Sequence, residues 1–209
     1  MTFECPRRKY TRMTFKVKDH YFHKAKKENF LARSVYKLEE IDERYKILRK
    51  GDQVMDLGYH PGSWIQYTSE KVGNTGKVVG SDIKPINTKL LNLSNVRLFD
   101  KDVFTIENLT ELDVTDQFDV VLSDMAPNTT GIQSVDQARS LNLVEMVFSL
   151  LPKFLKPGGH LVIKVFESND AQVFLKNNKK SFEEFHYLRP KSVRSVSKEF
   201  FVIGKNFRP

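Results

Sequence analysis

The stretch MDLGYHPGSW, Met55 to Trp64, decides how this chain folds. Upstream, QVMDL (53–57) reads as a short buried strand; downstream, SWIQYTSEKV (63–72) reads as a helix with Ser63 placed to cap it. Between them Gly58 and Gly62 bracket Tyr59-His60-Pro61, which makes a sharp strand-to-helix turn. That unit repeats outward. KVVGSD (77–82), VRLF (96–99), FDVVLSD (118–124) and HLVIKVF (160–166) read as further strands. IENLTEL reads as a short helix, residues 134–155 as a long one, ended by Lys156-Pro157-Gly158-Gly159, and AQVFLKNNKKSF as another. EEFHYLRP and KEFFVIG close the chain as two strands. Ahead of the turn, Leu31, Val35, Leu38, Ile41 and Tyr45 recur at helical spacing over 30–46, and Gly51 stops that helix. Strands alternating with helices predict an α/β fold with one mostly parallel sheet covered on both faces.

At 209 residues the chain suits one domain with a large core. With 40% hydrophobic and 29% charged residues it reads as an ordinary globular protein. No segment approaches the ~18 uninterrupted apolar residues of a membrane span, and the N-terminus lacks the apolar centre of a secretory signal. A cytoplasmic protein without membrane attachment is expected. Cys5 is the only cysteine, which excludes a disulfide framework or a cysteine-rich zinc site. His20 and His23 near it lack a fourth partner at suitable spacing, so no metal is expected.

Charge is uneven along the chain. Residues 1–50 carry 15 Lys and Arg against 7 Asp and Glu, residues 51–175 carry 10 against 16, and residues 176–209 carry 9 against 3. Two basic ends flank an acidic middle. They fit either a solvated lysine-rich surface or a polyanion footprint. Tyr10, Phe15, Tyr21, Phe22 and Phe30 lie among the N-terminal cations, as base-stacking surfaces often do. The organisation expected is a basic arm over 1–29 and an α/β domain over 30–209.

In an open parallel sheet the ligand sits beyond the carboxyl ends of the strands. Asp56, Asp82 and Asp124 end three of the strands, Asp102 lies just past another, and Lys164 is carried on the fifth. Any one acid there is commonly a cap or turn former; their repetition on successive strands is the signal. The turn lacks both the three-glycine dinucleotide pattern and the lysine of a P-loop, so it is not a pyrophosphate cradle. A plain tight turn and a small zwitterionic or nucleoside ligand both remain. Asp82 can accept hydrogen bonds from ribose hydroxyls. Acids that would repel a pyrophosphate suit S-adenosylmethionine, whose amino and sulfonium groups are positive.

These residues carry a resemblance over essentially the whole chain. DHYFHKAKKENF (19–30), VYKLEEI (35–41), DLGYHPGSWIQY (56–67), VLSDMAPN (121–128), LKPGGHLVIKVF (155–166) and RPKSVRSVSKEFFVIG (189–204) resemble the FtsJ/RlmE family of S-adenosylmethionine-dependent RNA ribose 2′-O-methyltransferases. The resemblance implies a Rossmann-like class I methyltransferase fold with a seven-stranded sheet. It places a Lys-Asp-Lys-Glu catalytic set on Lys37, Asp124, Lys164 and Glu199, and cofactor contacts on Asp56, Gly58, Pro61, Gly62, Trp64, Asp82, Asp102 and Asp124. RNA contacts are expected from Lys24, Lys26, Lys27, Arg33 and Arg194.

A ribose 2′-hydroxyl is a very weak acid, so its methylation needs orientation and stabilisation of developing negative charge. Two lysines beside the hydroxyl meet that need, with Asp124 and Glu199 holding them. Lys164 is assigned to deprotonate or electrostatically activate the hydroxyl; acting as a base, it must first be neutral. The competing reading is a structural ion-pair network. Asp124-Met125-Ala126-Pro127-Asn128 has no aromatic to stack a flipped base, and Cys5 lies outside the core, so exocyclic-amine and cytosine C5 chemistry fit less well than a hydroxyl acceptor.

Two positions depart from the family pattern. Tyr59-His60 replaces two alanines in the turn, where bulk is expected to narrow the methionine end of the pocket; His60 is either a group titrating near neutral pH or a solvent-facing loop residue. Leu31 stands where an arginine is usual, although Arg33 remains. Family members modify a uridine ribose in large-subunit (23S) ribosomal RNA on the assembled 50S particle, or tRNA anticodon-loop riboses. The chain's end at Pro209 and its lysine-rich segment favour the ribosomal substrate, acted on by a monomer. An RNA-binding assembly factor without catalysis is the alternative from another class.

Overall fold

A computed structural model describes residues 20–195 and 197–209. Cys5, Tyr10, Phe15 and most of the arm expected at 1–29 lie outside the described residues. Seven strands form one sheet: β1 (Gln53–Leu57), β2 (Lys77–Ser81), β3 (Val96–Phe99), β4 (Phe118–Ser123), β5 (Leu155–Phe166), β6 (Phe182–Leu188) and β7 (Glu199–Phe207). Their order is β3-β2-β1-β4-β5-β7-β6. Strands β1 to β5 are parallel, and β7 pairs antiparallel with both β5 and β6. Strand β1 lies between β2 and β4, so the chain reverses its direction of travel there, which opens a crevice at the carboxyl edge.

Side-chain alternation sorts the strands into two cores. Met55, Leu57, Val79, Val121, Ile163, Val165 and Val202 pack with α4 (Gln133–Phe154) and α5 (Asn169–Asn178). Val54, Val78, Val120, Leu122, Val162, Phe201 and Ile203 pack with α1 (His20–Lys27), α2 (Val35–Tyr45) and α3 (Ser63–Val72). Residues two apart share a face. Asp56, Asp124, Lys164 and Glu199 therefore continue the α2–α3 side of their strands, which is why they can meet a lysine carried on α2.

Four local expectations need correction. Helix α2 begins at Val35 rather than at residue 30, because the N–H of Leu31 is donated to Gln66 Oε1 and not to a helix ladder. It ends at Tyr45, with Lys46 in the left-handed region at φ 54°, before Gly51 is reached. Ser63 is the first residue of α3 and makes no cap: Gly62, at φ 111°, occupies that position, and Ser63 Oγ instead lies 2.9 Å from Ser34 Oγ. IENLTEL folds as a 3-10 turn at Leu109–Leu112. Helix α1 packs on the domain through Ala25, which is buried in the α2–α3 core, and just after it Glu28 Oε2 accepts from Tyr36 Oη at 2.8 Å.

Helix α2 is fixed to α3 by a buried polar bridge. Asp42 Oδ2 accepts from Tyr67 Oη at 3.0 Å, and Asp42 Oδ1 accepts from the N–H of Leu48 at 2.9 Å. Burial and the Asp42 charge push the Tyr67 phenol well above its ordinary pKa, so it remains a donor. Tyr67→Phe leaves a buried carboxylate oxygen short of a partner. Urea denaturation is expected to show a stability loss of about 1–3 kcal/mol at unchanged m-value; an unchanged midpoint would remove this bridge from the forces that hold α2.

Candidate active site

Strand β4 delivers Asp124 one residue past its last pair, and β5 delivers Lys164 opposite Phe201 of β7. Lys164 Nζ lies 2.9 Å from Asp124 Oδ1 and also donates to the Asp124 backbone oxygen. Lys37, on the first turn of α2, reaches the same Asp124 Oδ1 at 3.6 Å and Glu199 Oε1 at 2.6 Å. Its ammonium sits 5.5 Å from the centre of the Phe201 ring, a cation–π contact. The four expected catalytic residues are therefore brought together. Lys164 is buried, and the side chains of Lys37, Asp124 and Glu199 are only 12%, 18% and 14% exposed, so their charges act in a partly desolvated space.

The remaining acids line the same edge. Asp56 is fully buried and its Oδ2 has no hydrogen-bond partner among the described residues. Burial, then the nearby charges of Asp124 and Asp82, holds its carboxyl well above the usual range. An orphaned carboxyl facing two more acids fits a cationic ligand group, which is the character of the S-adenosylmethionine amino acid end. Asp82 Oδ2 accepts from the N–H of His60 at 2.9 Å and Oδ1 from that of Lys84 at 2.9 Å. Each oxygen retains a second lone pair for a ribose hydroxyl. Asp102 is exposed and caps a 3-10 turn by accepting from the N–H of Phe104 at 3.0 Å. No group of three or more His, Cys, Asp or Glu among the described residues is placed to hold a metal ion.

Close approach explains the turn's glycines. Gly58 is at φ 72°, and a Cβ there would stand 2.2 Å from Met125 Cγ; at Gly62 it would stand 2.3 Å from Leu90 Cδ1. Pro61 follows a cis peptide bond. The expectation for Tyr59 is overturned. Its ring is buried between α3 and β2, over Gly80, where a Cβ would lie 2.9 Å from Tyr59 Cδ1. Lack of a side chain at Gly80 creates the space, so the bulk enters the core instead of narrowing the methionine end. His60 is half-buried and contributes its backbone N–H to Asp82.

Trp64 belongs to the α2–α3 core. Its indole is 3% exposed, donates from Nε1 to the Ser34 backbone oxygen at 2.8 Å and packs on Phe201 with ring centres 5.9 Å apart. The side chain ties the turn to the start of α2. Sequence reasoning missed Ser34 and Phe201, since neither a lone serine nor a strand phenylalanine has a distinguishing spacing. Among the RNA candidates, Arg33 donates to the Ser192 backbone oxygen, and burial together with the Arg194 charge lowers its pKa. Arg33 and Arg194 are thus close to each other and to Glu199, whereas Lys24 pairs with Glu28 at 3.9 Å and Glu39 at 3.8 Å. Lys26 and Lys27 are exposed.

Asp56 and Trp64 give separable predictions. A raised carboxyl pKa favours the neutral form, so this contribution to stability is complete below the unfolded-state value and is lost as pH rises through the folded one. Asp56→Asn should therefore raise the apo melting temperature at mildly alkaline pH while weakening S-adenosylmethionine binding in calorimetry. Wild-type affinity should increase with pH through the raised pKa, with proton release; uptake of protons would contradict the placement. Trp64→Phe, which deletes the bond to Ser34, should lower kcat about 3- to 10-fold with cofactor Kd nearly unchanged.

Residues 30–207 match the FtsJ-like methyltransferase family. A curated relative from Bdellovibrio bacteriovorus, named Ribosomal RNA large subunit methyltransferase E, is 45% identical over 192 residues, covering 92% of this chain and 98% of its own. One of the same name from Syntrophobacter fumaroxidans is 47% identical over 197 residues, covering 94% and 99%. A solved structure from Plasmodium falciparum, assigned as a ribosomal RNA methyltransferase, aligns at TM-score 0.71 and 26% identity over 84% of this chain and 97% of that one. Fibrillarin from Aeropyrum pernix, solved with S-adenosylmethionine, shares the fold at TM-score 0.58 and 14% identity, covering 76% and 68%. The family match spans every element that supplies the lysine–carboxylate network and the acid-lined edge: this chain belongs to the FtsJ-like methyltransferase family.

Proposed function

We propose that the protein transfers a methyl group from S-adenosylmethionine to the 2′-hydroxyl of a uridine ribose in large-subunit (23S) ribosomal RNA, acting as a cytoplasmic monomer on the assembled 50S particle. The observation that carries the chemistry is the pair of lysines, Lys37 and Lys164, sharing one oxygen of Asp124 at 3.6 and 2.9 Å. The substrate class is supported by the shared name of the high-coverage relatives.

When bound, S-adenosylmethionine supplies an electrophilic methyl group on a positively charged sulfur. Asp56 and Asp82 would hold its cationic end and ribose, and the Gly58–Gly62 turn leaves room for its backbone-close approach. Asp124 and Glu199 keep the two ammonium groups side by side despite their repulsion. Lys164, on a central strand, is the group assigned to the acceptor hydroxyl: as an ammonium it offsets the charge that develops on oxygen as the O–C bond forms and the methyl–sulfur bond breaks, and only as the neutral amine would it take the proton itself. Lys37 adds a second positive charge and, through α2, its position depends on Trp64 and Tyr67.

Lys164→Ala should lose about 10²–10³-fold in methyl transfer with cofactor affinity retained; near-normal turnover would sink the assignment. Labelled S-adenosylmethionine offered in parallel with naked ribosomal RNA, undermodified 50S subunits and tRNA should label one ribose of the 50S particle. Label on tRNA alone would overturn the substrate, and label on none would favour an RNA-binding assembly factor.

A further inference from the structure

Adjacent residues of a strand point to opposite faces, so at the start of β7 Glu199 turns toward Lys37 while Phe200 turns to the α4–α5 side. There Phe200 meets Tyr187 of β6, with ring centres 6.0 Å apart and planes inclined by 43°. Tyr187 is 54% exposed near the end of the edge strand β6, and Phe185 packs edge-on behind it at 5.6 Å. Tyr187 and Phe200 border a cavity of about 610 Å³ whose other walls are Lys176, Arg189, Lys198, Gln172 and two acids, Glu167 and Glu199. Glu199 is already neutralised by Lys37. Lys176 and Lys198 are exposed and make no ion pair among the described residues, and Arg189 donates only to the backbone oxygens of Ser195 and Ser197. A smaller cavity of about 230 Å³ continues from it, sharing Glu167 and Lys198 and reaching Phe166 and Gln133.

An exposed tyrosine packed on a half-buried phenylalanine, with an arginine and two lysines unpaired among the described residues around them, matches a base and its flanking phosphates, the combination by which proteins hold single-stranded nucleic acid. An apolar protein surface would not need three cations. Since Glu199 belongs both to this cavity and to the catalytic network, a strand of RNA lying here passes within one strand's thickness of Lys37. We propose that Tyr187 and Phe200 form a stacking subsite for an unpaired nucleotide flanking the methylated one, with Lys198, Lys176 and Arg189 holding its phosphates. The subsite rests on the reading of this chain as an RNA ribose methyltransferase and adds a determinant of which RNA conformation is accepted: the flanking base must be free to leave its own stack.

The test uses the full-length protein and a hairpin RNA whose single-stranded loop carries 2-aminopurine at each position in turn. Stacking on Tyr187 should quench the fluorescence at one loop position in the wild type. Tyr187→Ser should abolish that quenching and weaken RNA affinity about 5- to 140-fold, the range for one base–aromatic stack, with S-adenosylmethionine affinity unchanged. Tyr187→Phe should restore both readings, and Lys198→Gln should weaken affinity with a shallower salt dependence. Equal quenching and affinity in wild type and Tyr187→Ser would overturn the subsite. Quenching at Tyr187 with no methyl incorporation into any RNA would overturn the proposed function alone, and absence of RNA binding by the wild type would overturn both.

Discussion

Two ammonium groups, Lys37 and Lys164, are held against a single carboxylate oxygen of Asp124 in a largely buried space. Like charges repel strongly at such distances once water is excluded, and only the carboxylates between and behind them make the arrangement tolerable. Everything around the network serves that constraint. Asp124 and Lys164 come from neighbouring parallel strands, Glu199 from the antiparallel strand beyond, and Lys37 from a helix laid across that face. The helix must be positioned accurately, and its fixings are specific: the Trp64 indole on Ser34, the Tyr67 phenol on Asp42, and the Lys37 ammonium over Phe201.

The cofactor side of the crevice uses the opposite electrostatics. Asp56 is buried without a hydrogen-bond partner among the described residues, beside two further acids, which together favour its neutral carboxyl; a cationic ligand would favour the ionised form. One edge of one sheet thus holds an acid-rich half around β1 and β2 and a lysine-bearing half around β4 to β7. Trp64 spans the two, since it lies in the first turn of α3 and hydrogen-bonds Ser34, which precedes the helix that carries Lys37. The aromatic cavity lies on the other face of β7, where Lys176 and Lys198 make no ion pair among the described residues.

Much of the fold was legible because it is written in local patterns. QVMDL, VRLF and SWIQYTSEKV are strand, strand and helix over the same residues in sequence and structure. Apolar runs bounded by Gly and Pro have few other interpretations. Errors fell where a tertiary bond displaced a local preference: Gln66 took the Leu31 N–H that an earlier helix start required, and Ser34 took the hydroxyl of Ser63 that would have capped α3. The acids at the strand ends were readable because the crevice rule converts sequence position directly into spatial position.

What the sequence determined alone was the succession of strands and helices, the acid at each strand end, and the residue types available for the chemistry, since these follow from periodicity and from position along the chain. The three-dimensional packing decided the rest. It joined Trp64 to the start of α2, sank Tyr59 over the bare backbone of Gly80, and placed Tyr187 and Phe200 side by side across a hairpin. Those outcomes depend on which elements become neighbours and which strand face a residue occupies, and neither is encoded in the spacing of residues within a single element.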